Sequence, residues 1–144
     1  MDVVNKIYIS WSEIEVLVDT LSRKIQERLF YTDDMYTSIH GLARGGLTPA
    51  VMISHKLNIP YTTTPQLGDG VLFSNECLII DDIADSGKTL KEWDDYPTAV
   101  LHYKSHTSCC EPTIYAVEQT TDDWIVYPWE RNDSETIQDY KLDK

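Results

Sequence analysis

Leu78-Ile79-Ile80-Asp81-Asp82-Ile83-Ala84-Asp85-Ser86-Gly87-Lys88-Thr89-Leu90 is the stretch from which the architecture of this chain can be read. A short apolar run bounded by turn residues suits a buried strand. It ends in two adjacent carboxylates, Asp81 and Asp82, with Asp85 three residues on and Ser86-Gly87-Lys88-Thr89 behind it. The loop after such a strand can aim backbone N–H groups at a phosphate, helped by a helix N-terminus. The carboxylates then lie where they can hold sugar hydroxyls or a divalent metal, so the arrangement points to a sugar phosphate. Two rival readings fail. Ser-Gly-Lys-Thr resembles the end of a Walker A loop, but the glycine that motif needs five positions before Gly87 is Asp82. Asp81 to Asp85 also spells the aspartate-rich DDxxD pattern of terpenoid synthases, which are large all-helical proteins; here the motif follows a strand in a short chain.

At 144 residues the chain is read as one domain, large enough for a core without staples. Twelve basic against 24 acidic residues leave a net charge of −12, which argues against nucleic acid or an anionic membrane surface as partner. A polyanionic substrate then needs help from Mg²⁺ and local backbone dipoles. Cys77, Cys109 and Cys110 are odd in number and form no CxxC pair, which suits reduced thiols in a cytoplasmic protein. No membrane-spanning run or signal-peptide pattern is visible.

Outward from the central stretch, strands and helices alternate. Lys6 to Ile9 reads as a short strand. Ser12-Glu13-Ile14-Glu15 fits a capping box, and Ile14, Leu17, Val18, Leu21, Ile25 and Leu29 recur at helical spacing, so a helix is expected over about 12–30. Met35 to His40 reads as a strand. Thr48 as cap and Pro49 as first helical residue open a helix to about Leu57. Tyr61 to Thr64 is strand-like, Pro65 to Gly70 a turn, and Val71 to Phe73 a short strand. The core strand spans Glu76 to Ile80. Thr89 to Trp93 gives a short helix, and Ala99 to Tyr103, Ile114 to Val117 and Trp124 to Tyr127 give further strands. The pattern predicts an α/β fold with a mostly parallel central sheet flanked by helices. The segment 131–144 is a polar tail.

A second strand-to-helix loop, Gly41-Leu42-Ala43-Arg44-Gly45-Gly46-Leu47, carries glycines that let the backbone approach an anion, and Arg44, a forked cation suited to phosphate oxygens. Two phosphate-handling loops then share the carboxyl edge of one sheet, where open α/β sheets bind ligands. One loop for a 5-phosphate and one for a pyrophosphate suggest phosphoribosyl pyrophosphate.

On these residues the chain resembles the type I phosphoribosyltransferases, and most closely the bacterial xanthine-guanine group. Ile79 to Thr89 is similar to the family's phosphoribosyl pyrophosphate motif, Ala43 to Leu47 to its pyrophosphate loop, and Lys6 to Leu29 to the group's N-terminal strand and helix. Asp123-Trp124-Ile125 with Pro128-Trp129-Glu130 is similar to its base-binding hood. The resemblance covers roughly residues 6–130. It implies a single domain with a small hood from about 105–130 plus the N-terminal segment, and a homodimer or homotetramer. It implies a Mg²⁺-dependent transfer to a purine base through a transition state of oxocarbenium character. Ala43, Arg44 and Gly45 would bind the pyrophosphate, with Arg44 counted among the catalytic groups. Asp81 and Asp82 would hold ribose hydroxyls, Asp82 also serving the metal, and Ser86, Gly87, Lys88 and Thr89 would wrap the 5-phosphate. Asp85 would face the purine N7 as proton acceptor. Lys104 would recognise a 6-oxo group, Trp124 would stack on the base, and the backbone of Ile125 would meet its edge. A non-proline cis peptide is implied at Ala43–Arg44.

The chain departs from the family pattern in two places. Lys88 stands where the closest group has a small residue. Only twenty residues separate Pro60 from Asp81, where close relatives carry a longer mobile loop that closes the site against water. The resemblance therefore implies a purine-salvage enzyme that converts a free 6-oxopurine (guanine, xanthine or hypoxanthine) to its nucleotide, and the short interval keeps one alternative, a slow or inactive relative that binds phosphoribosyl pyrophosphate or a nucleotide as a regulator.

Overall fold

The computed structural model describes residues 5–65 and 76–130. In chain order its elements are β1 (Lys6–Tyr8), α1 (Trp11–Tyr31), β2 (Ser38–Gly41), α2 (Leu47–Leu57), β3 (Cys77–Ala84), α3 (Lys88–Lys91), β4 (Thr98–Tyr103), β5 (Ile114–Glu118) and β6 (Trp124–Val126). The expected turn after Pro65, the strand at Val71 to Phe73 and the tail 131–144 lie outside the described residues.

β2, β3, β4 and β5 form an all-parallel sheet in that order. Alternation along the strands gives it two apolar faces. Leu78 and Ile80 of β3, with Ile39, Ala99, Leu101 and Ile114, pack against Ile14, Leu21 and Ile25 of α1 and Ala50 and Ile53 of α2. Cys77, Ile79 and Val100 face the other way, toward Leu90, Trp93 and Tyr96. A parallel sheet covered on both faces explains why β3 opens as a continuous apolar run. Among the described residues no helix is long and apolar enough to cross a membrane.

β1 and β6 make a separate two-stranded parallel sheet, with Lys6 opposite Trp124, Ile7 opposite Ile125 and Tyr8 opposite Val126. Ile9 N still donates to Val126 O at 2.9 Å, so the chain leaves this sheet at Ile9 and Ser10 is the first residue able to cap a helix. The capping box is therefore Ser10…Glu13, not Ser12…Glu15. Glu13 N donates to Ser10 Oγ at 3.1 Å, and the hydroxyl returns a bond to Glu13 Oε1 at 3.2 Å.

Other boundaries differ from the sequence expectation, β2 beginning at Ser38 rather than Met35 and α3 spanning Lys88–Lys91 rather than Thr89 to Trp93. α2 starts at Leu47, two residues before Pro49, with Gly46 as cap. Pro49 still lies in the first turn, where an N–H has no intrahelical partner to lose. β3 runs on to Ala84 because β4 keeps pairing with it, Ile83 lying opposite His102 and Ala84 opposite Tyr103. Tyr61 to Thr64 is no strand; a single bridge joins Tyr61 to Ile39.

Candidate active site

β2 ends at Gly41, opposite Ile80, while β3 continues for four residues. Asp81 and Asp82 thus stand inside β3 rather than in a loop, yet beyond the carboxyl end of the neighbouring strand. The Ala43–Gly46 loop fills the step. Leu42 N donates to Ile80 O at 2.9 Å, and Gly46 N to Leu42 O at 2.8 Å, which turns the loop directly into α2. The Ala43–Arg44 peptide is cis, as the resemblance implies. Arg44 is exposed at the tip of this loop.

The Asp82 carboxylate lies directly on Gly45. A Cβ at residue 45 would come within 2.6 Å of Asp82 Cγ, so the position tolerates only glycine while Asp82 keeps its place. Asp82 Oδ1 accepts from Ile83 N at 2.8 Å, and Asp81 Oδ1 accepts from Asp82 N at 2.9 Å. Burial and the neighbouring Asp82 charge push Asp81 well above the usual carboxylate range, and burial pushes Asp82 up as well. The Glu130 carboxyl is raised by its burial and by Asp82. Two adjacent desolvated carboxylates favour a proton, a cation or hydroxyl donors.

Asp85 begins the next loop, below a buried cation. Lys104 is only 1% exposed, so it is no solvated strand-end lysine, and its Nζ lies 3.9 Å from Asp85 Oδ1. The Thr107 hydroxyl lies within reach of two Asp85 acceptors, the main-chain O at 2.8 Å and Oδ1 at 3.2 Å. Gly87 takes a left-handed φ of 80°, which bends Ser86–Lys88 into a cradle. α3 is a single turn, so an anion held in this cradle would rely on loop amides rather than on a helix dipole. One of them is engaged already, Lys88 N donating to Ser86 Oγ at 3.3 Å. The segment after β4 backs the cradle, with Cys109 N donating to Ser86 O at 2.7 Å and Cys110 Sγ to Gly87 O at 3.3 Å.

A cavity of ≈ 230 Å³ is lined by Asp81 to Gly87, Thr89, Leu90 and Trp124. It is smaller than the roughly 300–1,000 Å³ of ordinary ligand pockets, so a nucleotide-sized ligand would extend out of it. The Trp124 indole N–H is buried without a hydrogen-bond partner among the described residues, whereas Ile125 is buried in the core. Of the residues singled out in the sequence, Asp81, Asp82, Asp85, Ser86, Gly87, Thr89 and Trp124 line this cavity. Gly45 packs on Asp82 and Lys104 on Asp85. Ala43, Arg44 and Lys88 are exposed beside it.

Sequence reasoning missed Thr107, and it missed His102 with Tyr127. His102 Nδ1 lies 2.7 Å from the Tyr127 hydroxyl, which donates to Asp82 O at 3.1 Å. Burial and the Lys104 cation lower His102 to about 4, so its ring is neutral. The readable signal was Tyr127 itself, a tyrosine three residues past Trp124 in the hood segment.

No family model matches the chain. The curated xanthine-guanine phosphoribosyltransferase of Cereibacter sphaeroides is 31% identical over 125 residues, spanning 66% of this chain and 70% of its own length. That of Vibrio vulnificus is 28% identical over 152 residues, spanning 88% and 90%. An alignment of 152 positions that spans 88% of a 144-residue chain contains gaps on this side, so this relative carries segments absent here. A purine phosphoribosyltransferase crystal structure from Pyrococcus horikoshii superposes with a TM-score of 0.72 at 29% identity, covering 92% of this chain and 99% of that one. With the parallel sheet and the two loops at its carboxyl edge, these likenesses settle the lineage: the chain belongs to the type I phosphoribosyltransferase family, alongside the xanthine-guanine phosphoribosyltransferases.

Proposed function

We propose that the chain transfers ribose 5-phosphate from phosphoribosyl pyrophosphate to a 6-oxopurine base, guanine, xanthine or hypoxanthine, and releases pyrophosphate. The observation that carries this reading is the shared cavity, in which the Asp81–Thr89 segment meets Trp124 while Lys104 stands behind Asp85. A purine nitrogen attacks C1 of the ribose, and the C1–O bond to pyrophosphate breaks with its electron pair leaving on the pyrophosphate. The proton of the attacking base passes to Asp85, whose carboxylate is held by Thr107 and Lys104. Arg44 meets the charge that builds on the departing pyrophosphate, and the amides of Ser86 to Thr89 hold the 5-phosphate. Lys104 offers a donor to the 6-oxo group, Trp124 a face to the ring, and Ile125 its backbone to the ring edge.

Mg²⁺ fits this site as a guest of the substrate. Among the described residues no group of three or more His, Cys, Asp or Glu could hold a metal alone. Mg²⁺ commonly takes one or two carboxylates and completes its shell with phosphates and water. Asp82, desolvated and beside Asp81, is the carboxylate suited to it, and the ion would neutralise pyrophosphate charge. The short interval between Pro60 and Asp81 supports a second reading, a relative that binds phosphoribosyl pyrophosphate or a nucleotide as a regulator.

The test is nucleotide formation from each base with phosphoribosyl pyrophosphate and Mg²⁺, beside an Asp85→Asn variant. Product that vanishes in the variant supports the enzyme. Absence of product with Mg²⁺-dependent binding of the ribose pyrophosphate selects the regulator instead.

A further inference from the structure

The Asp82 peptide is held from two sides, and only one of them belongs to the phosphate-binding loops. Its carboxylate rests on Gly45. Its carbonyl accepts from Tyr127, which follows the hood strand β6 and is 1% exposed, stacked on Trp129 at 4.9 Å and 3°. A hydroxyl has one proton to give, and the Asp82 carbonyl can only accept. The 2.7 Å contact to His102 therefore requires the neutral imidazole to carry its hydrogen on Nδ1 and donate to the Tyr127 oxygen. His102 itself lies on β4, opposite Ile83. The result is a buried chain of donors running from the central sheet through the hood to the main chain of the sugar-binding motif.

We infer that Tyr127, oriented by His102, is a positioning residue that couples the base-binding hood to Asp82, fixing the ribose pyrophosphate subsite relative to Trp124. This deepens the proposed transferase reading and rests on it. In this arrangement Asp82 is placed before substrate arrives. Without the hydroxyl, the substrate must order Asp82 as it binds, so affinity falls while turnover of the filled site holds.

The experiment compares wild type, Tyr127→Phe, His102→Phe and the double variant, with His102→Gln as the conservative replacement that keeps a donor. Each single loss should raise the KM for phosphoribosyl pyrophosphate about fivefold, the worth of one hydrogen bond. The value of kcat should stay within about twofold. The double variant should do no more than either single one, as expected for a shared network, and His102→Gln should recover part of the loss. An unchanged KM, or effects that multiply in the double variant, overturns the inference. Nitrogen-15 NMR of the His102 ring supplies a readout independent of turnover: a proton on Nδ1 supports the chain of donors, and one on Nε2 overturns it. If wild type makes no nucleotide, the transferase reading falls, and the coupling is then decided by calorimetric binding of Mg²⁺–phosphoribosyl pyrophosphate to wild type and Tyr127→Phe. A fivefold weaker variant supports it, while equal affinities, or no binding at all, overturn it.

Discussion

Replacing Gly45 with alanine should damage the protein through Asp82, whose carboxylate supplies the three nearest atoms a Cβ would meet. Gly45 does not have a positive φ, so an alanine backbone is permitted there. The difficulty is the carboxylate: the new methyl would sit 2.6 Å from Asp82 Cγ, well inside van der Waals contact. Asp82 cannot swing freely, because Oδ1 accepts from Ile83 N at 2.8 Å. Overpacking of this kind costs about 1–3 kcal/mol, which at about 4 °C per kcal/mol predicts a Tm lowered by about 8 °C. In an Asp82→Ala background the obstacle is gone. There the same Gly45→Ala change should be neutral or stabilise by about 0.5 kcal/mol, through the entropy it removes from the unfolded chain. The double-mutant cycle, read by urea or thermal unfolding, should therefore show a coupling of roughly 2 kcal/mol. Residues without a shared contact add to within about 0.5 kcal/mol. An equal penalty with and without the Asp82 carboxylate would refute the packing argument.

Three further outcomes follow from the same geometry. His102, lowered to about 4 from 6.5, is neutral in the fold while the unfolded chain takes up a proton below pH 6.5; stability is complete above 6.5 and declines toward pH 4, by about 3 kcal/mol. The raised Asp81 and Asp82 act with the opposite sign, gaining stability on acidification, so the His102 share is isolated as the difference in pH dependence between wild type and His102→Asn. Lys104→Met should weaken base binding by roughly 10–100-fold, the worth of a charge-assisted hydrogen bond, while affinity for phosphoribosyl pyrophosphate holds; equal losses for both ligands in calorimetry would remove Lys104 from the base subsite. Ser10→Ala deletes the cap of α1 and should lower stability by about 1 kcal/mol without altering KM; an unchanged Tm would return the capping role to Ser12.

The parallel sheet was legible because β3 and β4 are largely buried apolar runs and because the helical spacing of α1 and α2 stands apart from the strands around them. The boundaries were not. Ser10…Glu13 and Ser12…Glu15 present the same pattern to a reader of sequence, and what decides between them is a long-range bond, Ile9 N to Val126 O. The apolar run ends at Ile80, so the sequence places the end of β3 before its carboxylates, residues that are depleted in strands. Its true end is set by β4, whose pairing at His102 and Tyr103 carries it to Ala84. Both misses have one cause. Local patterns name an element, whereas its last residue depends on a partner more than a hundred residues away in one case and some twenty in the other.

The site divides along a different line, between charged groups the fold desolvates or leaves exposed and polar groups it uses as struts. Asp81 and Asp82 lie side by side and desolvated, a methyl at Gly45 would meet the Asp82 carboxylate, and Arg44 is exposed on its loop. Such residues stand out in a sequence because a fold selected for stability alone would replace them. Thr107, His102 and Tyr127 are the reverse. Each bonds another part of the chain, the first to Asp85 and the other two in series to Asp82. A threonine, a histidine and a tyrosine with satisfied hydrogen bonds resemble any buried polar residue in sequence, so nothing marked them. The two sets are complementary: two adjacent carboxylates repelling each other in a desolvated step can keep a productive geometry only if their main chain is clamped from elsewhere. The desolvated carboxylates and the exposed cation are what the sequence displays, and the satisfied partners are what holds the Asp82 main chain in place.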